Sequence, residues 1–203
     1  MVAADLSAVV INLADRPQRL RAFQQRWDAA GAPVPLRRQD AVRGGSDAAC
    51  TASHLAALSA GSGPLVVFED DACFAPTFTL DLSPPAGWDV LWLGGQHYLP
   101  PAPLDEVWAR PRHQLRTHAY IARDPQALAA VIRAARVPRM APYVAQLPLK
   151  QFVLRVHTVG QCAGTSDISG DVRIVDQFWN SSMNSPFWRA ISRKYCRYVG
   201  NSG

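Results

Sequence analysis

The segment from Leu65 to Ala72, LVVFEDDA, constrains the fold of this chain most. Four consecutive apolar residues follow Gly63-Pro64 and end at three acids, a pattern that predicts a strand buried on both faces. A strand of this kind lies in the middle of a layered structure. Its polar end therefore predicts a site where the strand terminates.

The three acids at the end of this strand are Glu69, Asp70 and Asp71. Adjacent like charges repel, so a fold that gathers them needs a counter-charge, and a hard divalent cation such as Mg²⁺ or Mn²⁺ suits carboxylate oxygens. Because neighbouring strand residues face opposite ways, we expect Glu69 and Asp71 to hold the metal while Asp70 accepts an orienting hydrogen bond. A solvated acidic turn after a core strand is the simpler alternative.

The composition indicates one globular domain. The chain has 203 residues, 48% of them hydrophobic and 18% charged, which suits a single domain with a substantial core. We expect this domain over residues 1–180 and a basic, aromatic helix or tail over 181–203. No apolar run reaches the ~20 residues of a membrane span and no signal-peptide pattern is present, so a cytoplasmic location is expected. The four cysteines show no paired spacing and are expected to be reduced thiols.

A strand–helix unit precedes the acidic segment. Residues 8–13 are largely apolar and rich in β-branched side chains, which predicts a strand. Helical spacing of apolar residues then predicts a helix that is capped by Asp15 and stops at Gly31. Arg16 and Arg19 lie at its amino-terminal end, where backbone N–H groups favour an anion such as a nucleotide phosphate. Two solvated arginines on an amphipathic helix are the alternative.

A second helix leads directly into the acidic segment. A short strand at residues 34–37 comes first, and Ser46 or Asp47 then caps the helix. Cys50 and His54 lie four residues apart on one face, so His54 is expected to point inward. It is either a satisfied core histidine or a group that approaches the acids.

Two further glycine- and histidine-containing segments lie downstream. Residues 90–93 predict another buried strand, and Gly94 after it allows the backbone to pass close to a ligand. The proline-rich residues 100–103 predict a surface loop. In the next strand His118 and Tyr120 share one face, a pattern that by alternation alone is typical of an ordinary half-buried strand.

Six motifs occur in order along the chain. They are Val10-Ile11-Asn12-Leu13 with Arg16-Pro17 and Arg19; Cys50 with Ser53-His54; Val66 to Asp71; Trp88 to Gly94; Thr117 to Ile121; and Gln161 with Ser166-Asp167-Ile168. Together they resemble glycosyltransferase family 25, which includes bacterial lipooligosaccharide galactosyltransferases and collagen galactosyltransferases. The resemblance covers roughly residues 7 to 170.

This resemblance implies a GT-A type fold, an α/β sandwich with a mostly parallel central sheet flanked by helices. A nucleotide-sugar donor, expected to be a UDP-hexose, would lie across the carboxyl ends of the strands. A divalent cation, Mn²⁺ or Mg²⁺, would bridge the acidic motif and the diphosphate, with Asp71 as first choice for direct coordination. The expected donor-binding residues are Asn12, Leu13, Arg16, Arg19, His54, Asp70 and Gly94.

The resemblance also implies transfer with inversion, which requires a base for the acceptor proton. Asp167 is the first candidate because its motif matches the family, and His118 is the second. Residues 142–146, PYVAQ, lack the carboxylate of the Pro-x-Asp segment that is usual in the family. Either another group takes its role or the acceptor differs.

Other functions remain open at this stage. They are a non-catalytic nucleotide-sugar-binding protein, a phosphotransferase, for which no glycine-rich lysine loop is present, and a nucleic-acid-binding protein that uses the net charge of +5. The acceptor is a lipooligosaccharide, a protein, a small glycan or a modified nucleobase. The basic tail either contacts an anionic membrane surface or polyanionic acceptor, or closes the domain as a packed helix.

Overall fold

A computed structural model of the chain describes residues 6–44, 46–97, 99–112, 114, 116–137, 140 and 144–162, with the backbone of 164–165 and 172–173. Asp167 and the tail at 181–203 lie outside the described residues. Among the residues that are described, no helix is long and apolar enough to cross a membrane.

Three helices and twelve short strands make up the described part of the chain. The helices are α1 (Pro17–Ala29), α2 (Asp47–Ser59) and α3 (Pro125–Ala134). The strands are β1 (Ser7–Asn12), β2 (Leu36–Asp40), β3 (Leu65–Glu69), β4 (Ala72–Phe74), β5 (Val90–Trp92), β6 (Ala102–Pro103), β7 (Trp108–Arg110), β8 (Ala119–Ala122), β9 (Gln151–Leu154), β10 (Val159–Gln161), β11 (Gly164–Thr165) and β12 (Val172–Arg173).

Eight strands form a central sheet in the order β2-β1-β3-β8-β5-β9-β7-β6. Strand β1 pairs in parallel with both β2 and β3, and β5 pairs in parallel with β9. Strands β8 and β7 run antiparallel to their neighbours. The sheet is therefore mixed, with six of its eight strands running in the same direction, and the predicted α/β fold with a mostly parallel central sheet flanked by helices is confirmed.

Helices cover both faces of the sheet, which explains the continuous apolar run of β3. Phe68 packs with Phe23 and Trp27 of α1 on one face. On the other face Val67 belongs to the same core as Leu58 of α2 and residues of α3. Both sets of strand side chains are excluded from water, so alternation of polar and apolar residues disappears.

Most predicted helix ends are confirmed, with one correction at the first helix. Ser46 caps α2 by accepting a hydrogen bond from the backbone N–H of Ala49, and Gly31 follows α1 in a left-handed conformation. The cap of α1 is Arg16 and not Asp15, without a side-chain capping bond. Asp15 instead forms an exposed ion pair with Arg43.

One predicted strand boundary was wrong, and one predicted loop was wrong in part. The strand expected at residues 34–37 lies at Leu36–Asp40, where its register with β1 pairs Leu36 with Ala8. The proline-rich segment is not entirely loop, because β6 pairs with β7 at the edge of the sheet. An edge strand tolerates proline, since its outward side needs no ladder hydrogen bond.

Candidate functional site

The connections around β1 create a crevice at one end of the sheet. The chain leaves β1 through α1 to reach β2 on one side, while α2 on the opposite face leads to β3 on the other side. Ligands of open α/β sheets bind where connections diverge in this way, outside the carboxyl ends of the strands. Asn12 ends β1 and Glu69 ends β3. Residues 69–71, called here the acidic turn, therefore lie at this crevice.

Asp70 is held inside the protein by two partners on the β1–α1 unit. One of its oxygens accepts a hydrogen bond of 2.7 Å from Nδ2 of Asn12. The other lies 2.5 Å from the guanidinium of Arg19. The carboxylate is only 9% exposed, so these contacts compensate a charge that solvent reaches poorly. Asp70 thus fastens the acidic turn to β1 and α1.

Asn12 is a fully buried residue whose amide supports this arrangement. Its Nδ2 group donates to Asp70 and also to the backbone oxygen of Arg16. Its Oδ1 accepts from Nε of Arg38. Because both amide hydrogens are used within the protein, Asn12 acts chiefly by positioning Asp70. Direct contact of Asn12 with a nucleotide remains a prediction.

Glu69 faces the second helix. Its Oε1 accepts a 2.7 Å hydrogen bond from Oγ1 of Thr117 and lies 3.5 Å from Nε2 of His54. Burial alone would raise the pKa of Glu69, but hydrogen bonds from His54 and Thr117 lower it to about 2. Glu69 is therefore an anion over the whole physiological pH range.

His54 points inward as predicted and approaches the acidic turn. It is buried, and its Nδ1 lies 3.1 Å from the hydroxyl of Tyr120. Burial would lower the pKa of His54, but Tyr120, Cys50 and Glu69 together raise it well above its ordinary value. The structure brings His54 to the acids, while its burial and its contact with Tyr120 also fit a satisfied core histidine. A role of His54 in donor binding stays a prediction.

Asp71 is half-buried, and its pKa is shifted in the opposite direction from that of Glu69. Both of its oxygens accept long hydrogen bonds of 3.3 Å from Nε2 of Gln161, and Arg19 lies 3.5 Å away. Burial, followed by the charge of Glu69, raises the pKa of Asp71 to about 6 despite the opposing charge of Arg19. A carboxylate whose ionised form is disfavoured in this way would be stabilised by added positive charge, so its oxygens suit a hard divalent cation.

Strand geometry does not place Glu69 and Asp71 in equivalent positions. The strand ends at Glu69, and the next two residues form a turn, so strict alternation does not continue to Asp71. Glu69 has partners on α2 and next to β8, whereas Asp71 has a partner on β10. Shared coordination of one metal by these two carboxylates stays a prediction.

The two arginines of the predicted phosphate site differ in their surroundings. Arg19 is drawn toward Asp70 and Asp71. Arg16 is exposed at the amino-terminal end of α1, and Leu13 beside it is half-buried. Binding of a phosphate at Arg16 and Arg19 stays a prediction.

Gly94 and His118 meet at the beginning of β10. A methyl group at Gly94 would overlap the backbone oxygen of Val159, so close packing of two backbones already explains the glycine. Nε2 of His118 lies 3.2 Å from the same oxygen. Burial lowers the pKa of His118, although Glu69 and Asp71 raise it. Contact of Gly94 with a ligand stays a prediction.

Comparison with known proteins adds a distant likeness. No family model matches the chain, and no curated protein matches it in sequence. Two solved structures of the Drosophila β-1,4-galactosyltransferase 7 match with 10% identity, over 90% of this chain and 80% of theirs. One is a point mutant in complex with manganese, UDP-Gal and xylobiose, with a TM-score of 0.43, and the other is the catalytic domain with xylobiose, with a TM-score of 0.41. Similarity at this level does not establish a family for the chain.

Several supporting residues of the site had no role in the sequence prediction. Arg26 of α1 donates to the backbone oxygens of Asp70 and Ala72 and thereby clamps the acidic turn. Gln161 and Thr117 lie in recognised motifs, but their spacing did not show that they contact the acids. The position of a polar residue at the end of a short strand was the signal that could have indicated a role for Gln161 in the site.

Proposed function

We propose that the chain is a metal-dependent glycosyltransferase with a GT-A type fold, similar to family 25, that uses a UDP-hexose donor. The observation that carries the proposal is the acidic turn at the carboxyl end of β3, in the crevice where connections diverge. The sequence resemblance supplies the reaction class. Galactose or glucose is the expected hexose, and a hydroxyl of a lipooligosaccharide is the expected acceptor.

The residues of the crevice fit a nucleoside diphosphate and its counter-ion. When bound, a divalent cation supplies positive charge that stabilises the diphosphate leaving group. Asp71 would hold it, because burial and the charge of Glu69 disfavour its ionised form, which a cation would stabilise. Arg16 offers a guanidinium at the start of α1, where the helix dipole also favours phosphate.

The acceptor proton requires a base, for which two residues are candidates. Asp167 remains the first candidate from the sequence. His118 has a buried Nδ1 without a hydrogen-bond partner among the described residues, while its other ring nitrogen faces Val159. Because its pKa is lowered, the His118 ring is neutral, and its Nδ1 is chemically able to accept a proton. Its burial separates it from solvent, which favours Asp167.

The test is a donor screen on the full chain after removal of metal. We expect Mn²⁺ or Mg²⁺ together with UDP-galactose or UDP-glucose to raise the melting temperature, and slow donor hydrolysis to depend on the metal. Excess chelator should remove both effects. A screen of UDP-, GDP- and CMP-sugars that gives no metal-dependent stabilisation or hydrolysis would reject the proposal. Stabilisation without hydrolysis or transfer would favour the non-catalytic alternative.

Replacement of Arg16 by Ala should weaken donor binding more than it changes the melting temperature. The exposed guanidinium at the start of α1 would lose its contact with the diphosphate, so the Kd should rise by up to about tenfold. Isothermal titration with UDP-hexose and Mn²⁺ measures this change. Arg21→Ala, an exposed arginine on the same helix, is the matched control. Equal affinity in both variants would make Arg16 an ordinary surface charge.

A further inference from the structure

A second set of metal-type ligands lies beside the acidic turn, on the side away from Asp70. A ligand atom from each of Cys50, His54 and Glu69 lies within 4.8 Å of the other two. Cys50 is a free, half-buried thiol and His54 is buried. The proposed glycosyl transfer assigns no role to this thiol.

We propose that Cys50, His54 and Glu69 bind a zinc-like divalent cation. Thiolate, imidazole and carboxylate are the three ligand types of Zn²⁺ in proteins, whereas Mg²⁺ and Mn²⁺ prefer oxygen. The site therefore differs in chemistry from the one at Asp71. Three protein ligands leave a tetrahedral ion one position for a small ligand.

The distances are compatible with a tetrahedral ion. Nε2 of His54 and Oε1 of Glu69 lie 3.5 Å apart. Nitrogen and oxygen ligands with bonds of ~2.0–2.1 Å to a tetrahedral ion are separated by about 3.3 Å, and a sulfur ligand lies about 3.6 Å from each of them. Because all three ligand atoms already lie within 4.8 Å, closing the site needs side-chain shifts of about 1 Å.

Helix geometry brings two of the ligands together. Cys50 and His54 are four residues apart on α2, which places them one turn apart on the same face. Metal sites on helices commonly use two ligands at this spacing. Glu69 joins them because α2 packs on the sheet and contacts β3, which Glu69 ends.

The groups around the ligands already orient them. Nδ1 of His54 lies 3.1 Å from the Tyr120 hydroxyl, which directs Nε2 toward Glu69. Thr117 donates to the Glu69 carboxylate at 2.7 Å. Metal-binding histidines and carboxylates usually have their remaining atoms fixed by hydrogen bonds of this kind. A bound cation would join α2 to the end of β3 and stabilise the folded chain.

Cobalt spectroscopy on the full-length, chelator-stripped protein tests the proposal. Co²⁺ replaces Zn²⁺ in such sites, and bonding to a thiolate produces a charge-transfer band in the near ultraviolet. We expect this band to saturate at one equivalent of Co²⁺ and to disappear on addition of Zn²⁺. Zn²⁺ alone should also raise the melting temperature.

Variants identify the ligands. Cys50→Ser and Cys50→Ala should abolish the band and lower the Co²⁺ affinity at least about tenfold, with metal-free circular dichroism showing that each variant is folded. Cys73→Ser, which removes another half-buried thiol, is the matched control and should keep the band. A parent without the band, or a band that survives in both Cys50 variants, would overturn the site.

The cobalt test of the zinc-like site can be distinguished from the test of the proposed glycosyl transfer. Asp71→Asn should retain the cobalt band, and Cys50→Ser should retain Mn²⁺-dependent donor binding. Loss of donor binding with an intact band would reject only the proposed function. Intact donor binding with no band would reject only the zinc-like site.

Discussion

Asp71→Asn is expected to reduce Mn²⁺-dependent turnover of a UDP-hexose by about 100-fold or more, while it raises the melting temperature of the metal-free protein. Asn keeps the size of Asp71 but offers a cation a neutral oxygen in place of a charged one. It also removes a half-buried charge that is repelled by Glu69 and accepts long hydrogen bonds from Gln161. Donor affinity and stability should therefore change in opposite directions.

The stability change follows from the raised pKa of Asp71. A carboxyl whose pKa rises from its ordinary 3.8 to about 6 on folding stabilises the fold when protonated. This contribution is complete below pH 3.8 and is lost as the pH rises through about 6. Near pH 7.5 the parent consequently carries a cost of up to about 3 kcal/mol that the Asn variant lacks. The difference in melting temperature should shrink as the pH falls from 6 to 4.

Thermal melts in chelator between pH 4 and 7.5, followed by melts with Mn²⁺, measure both effects. Mn²⁺ should stabilise the parent and leave Asp71→Asn unchanged. Asp28→Asn, at an exposed position of α1, is the control for removal of an acid as such. If Asp71→Asn melts below the parent at pH 7.5, the ionised Asp71 carboxylate does not destabilise the fold. If the variant also still turns over donor, Asp71 is not a metal ligand.

The sequence predicted those parts of the fold that depend on local chemistry. The apolar run of β3 and its acidic end required no distant information, because burial on both faces removes polar residues from a strand. The cap at Ser46 and the left-handed Gly31 were equally local. Likewise, a four-residue helical spacing was enough to direct His54 inward.

The different environments of the three acids could not be predicted from local sequence. Each carboxylate takes its partners from another element: Asp70 from Asn12, Glu69 from Thr117, and Asp71 from Gln161, which lies 90 positions away. Only the packing of those elements decides which carboxylate is well compensated. The alternation rule also failed here, because the strand stops at Glu69.

The approach of Cys50 to the acids is a further result of packing. The sequence showed that Cys50 and His54 share a helix face, but not which part of the sheet this face contacts. Because α2 contacts β3, Glu69 at the end of β3 lies beside this pair and adds a third potential ligand. Spacing within one helix thus predicted two ligands, and the third depended on the tertiary fold.

Gly94→Ala is expected to cause the largest loss of stability, about 3 kcal/mol, which corresponds to a fall of roughly 6–12 °C in melting temperature. A methyl group at this position would overlap the backbone oxygen of Val159, which belongs to a strand and has little freedom to move. The backbone N–H groups of Thr158 and Val159 bind the oxygen of Leu93 and hold the two segments together.

The same substitution should also disturb the acidic turn. Strand β10 pairs with β4 immediately after the turn, and its last residue, Gln161, donates to Asp71. Displacing Val159 would therefore move Gln161 and weaken donor binding together with the fold. The matched control is Gly31→Ala, where φ is 62° but no atom beyond the adjacent residues lies within 4 Å of the added methyl. That control should cost only about 1 kcal/mol of backbone strain.

Melting temperature and donor affinity, measured on both glycine variants, separate packing from ligand contact at Gly94. If packing explains the glycine, Gly94→Ala loses stability even in the absence of any nucleotide, because the clash with Val159 is internal to the protein. If the glycine instead admits a ligand, Gly94→Ala should melt like the parent and lose only donor binding. The internal clash favours the first result, so a parent-like melting temperature would contradict the packing of β10 against Gly94.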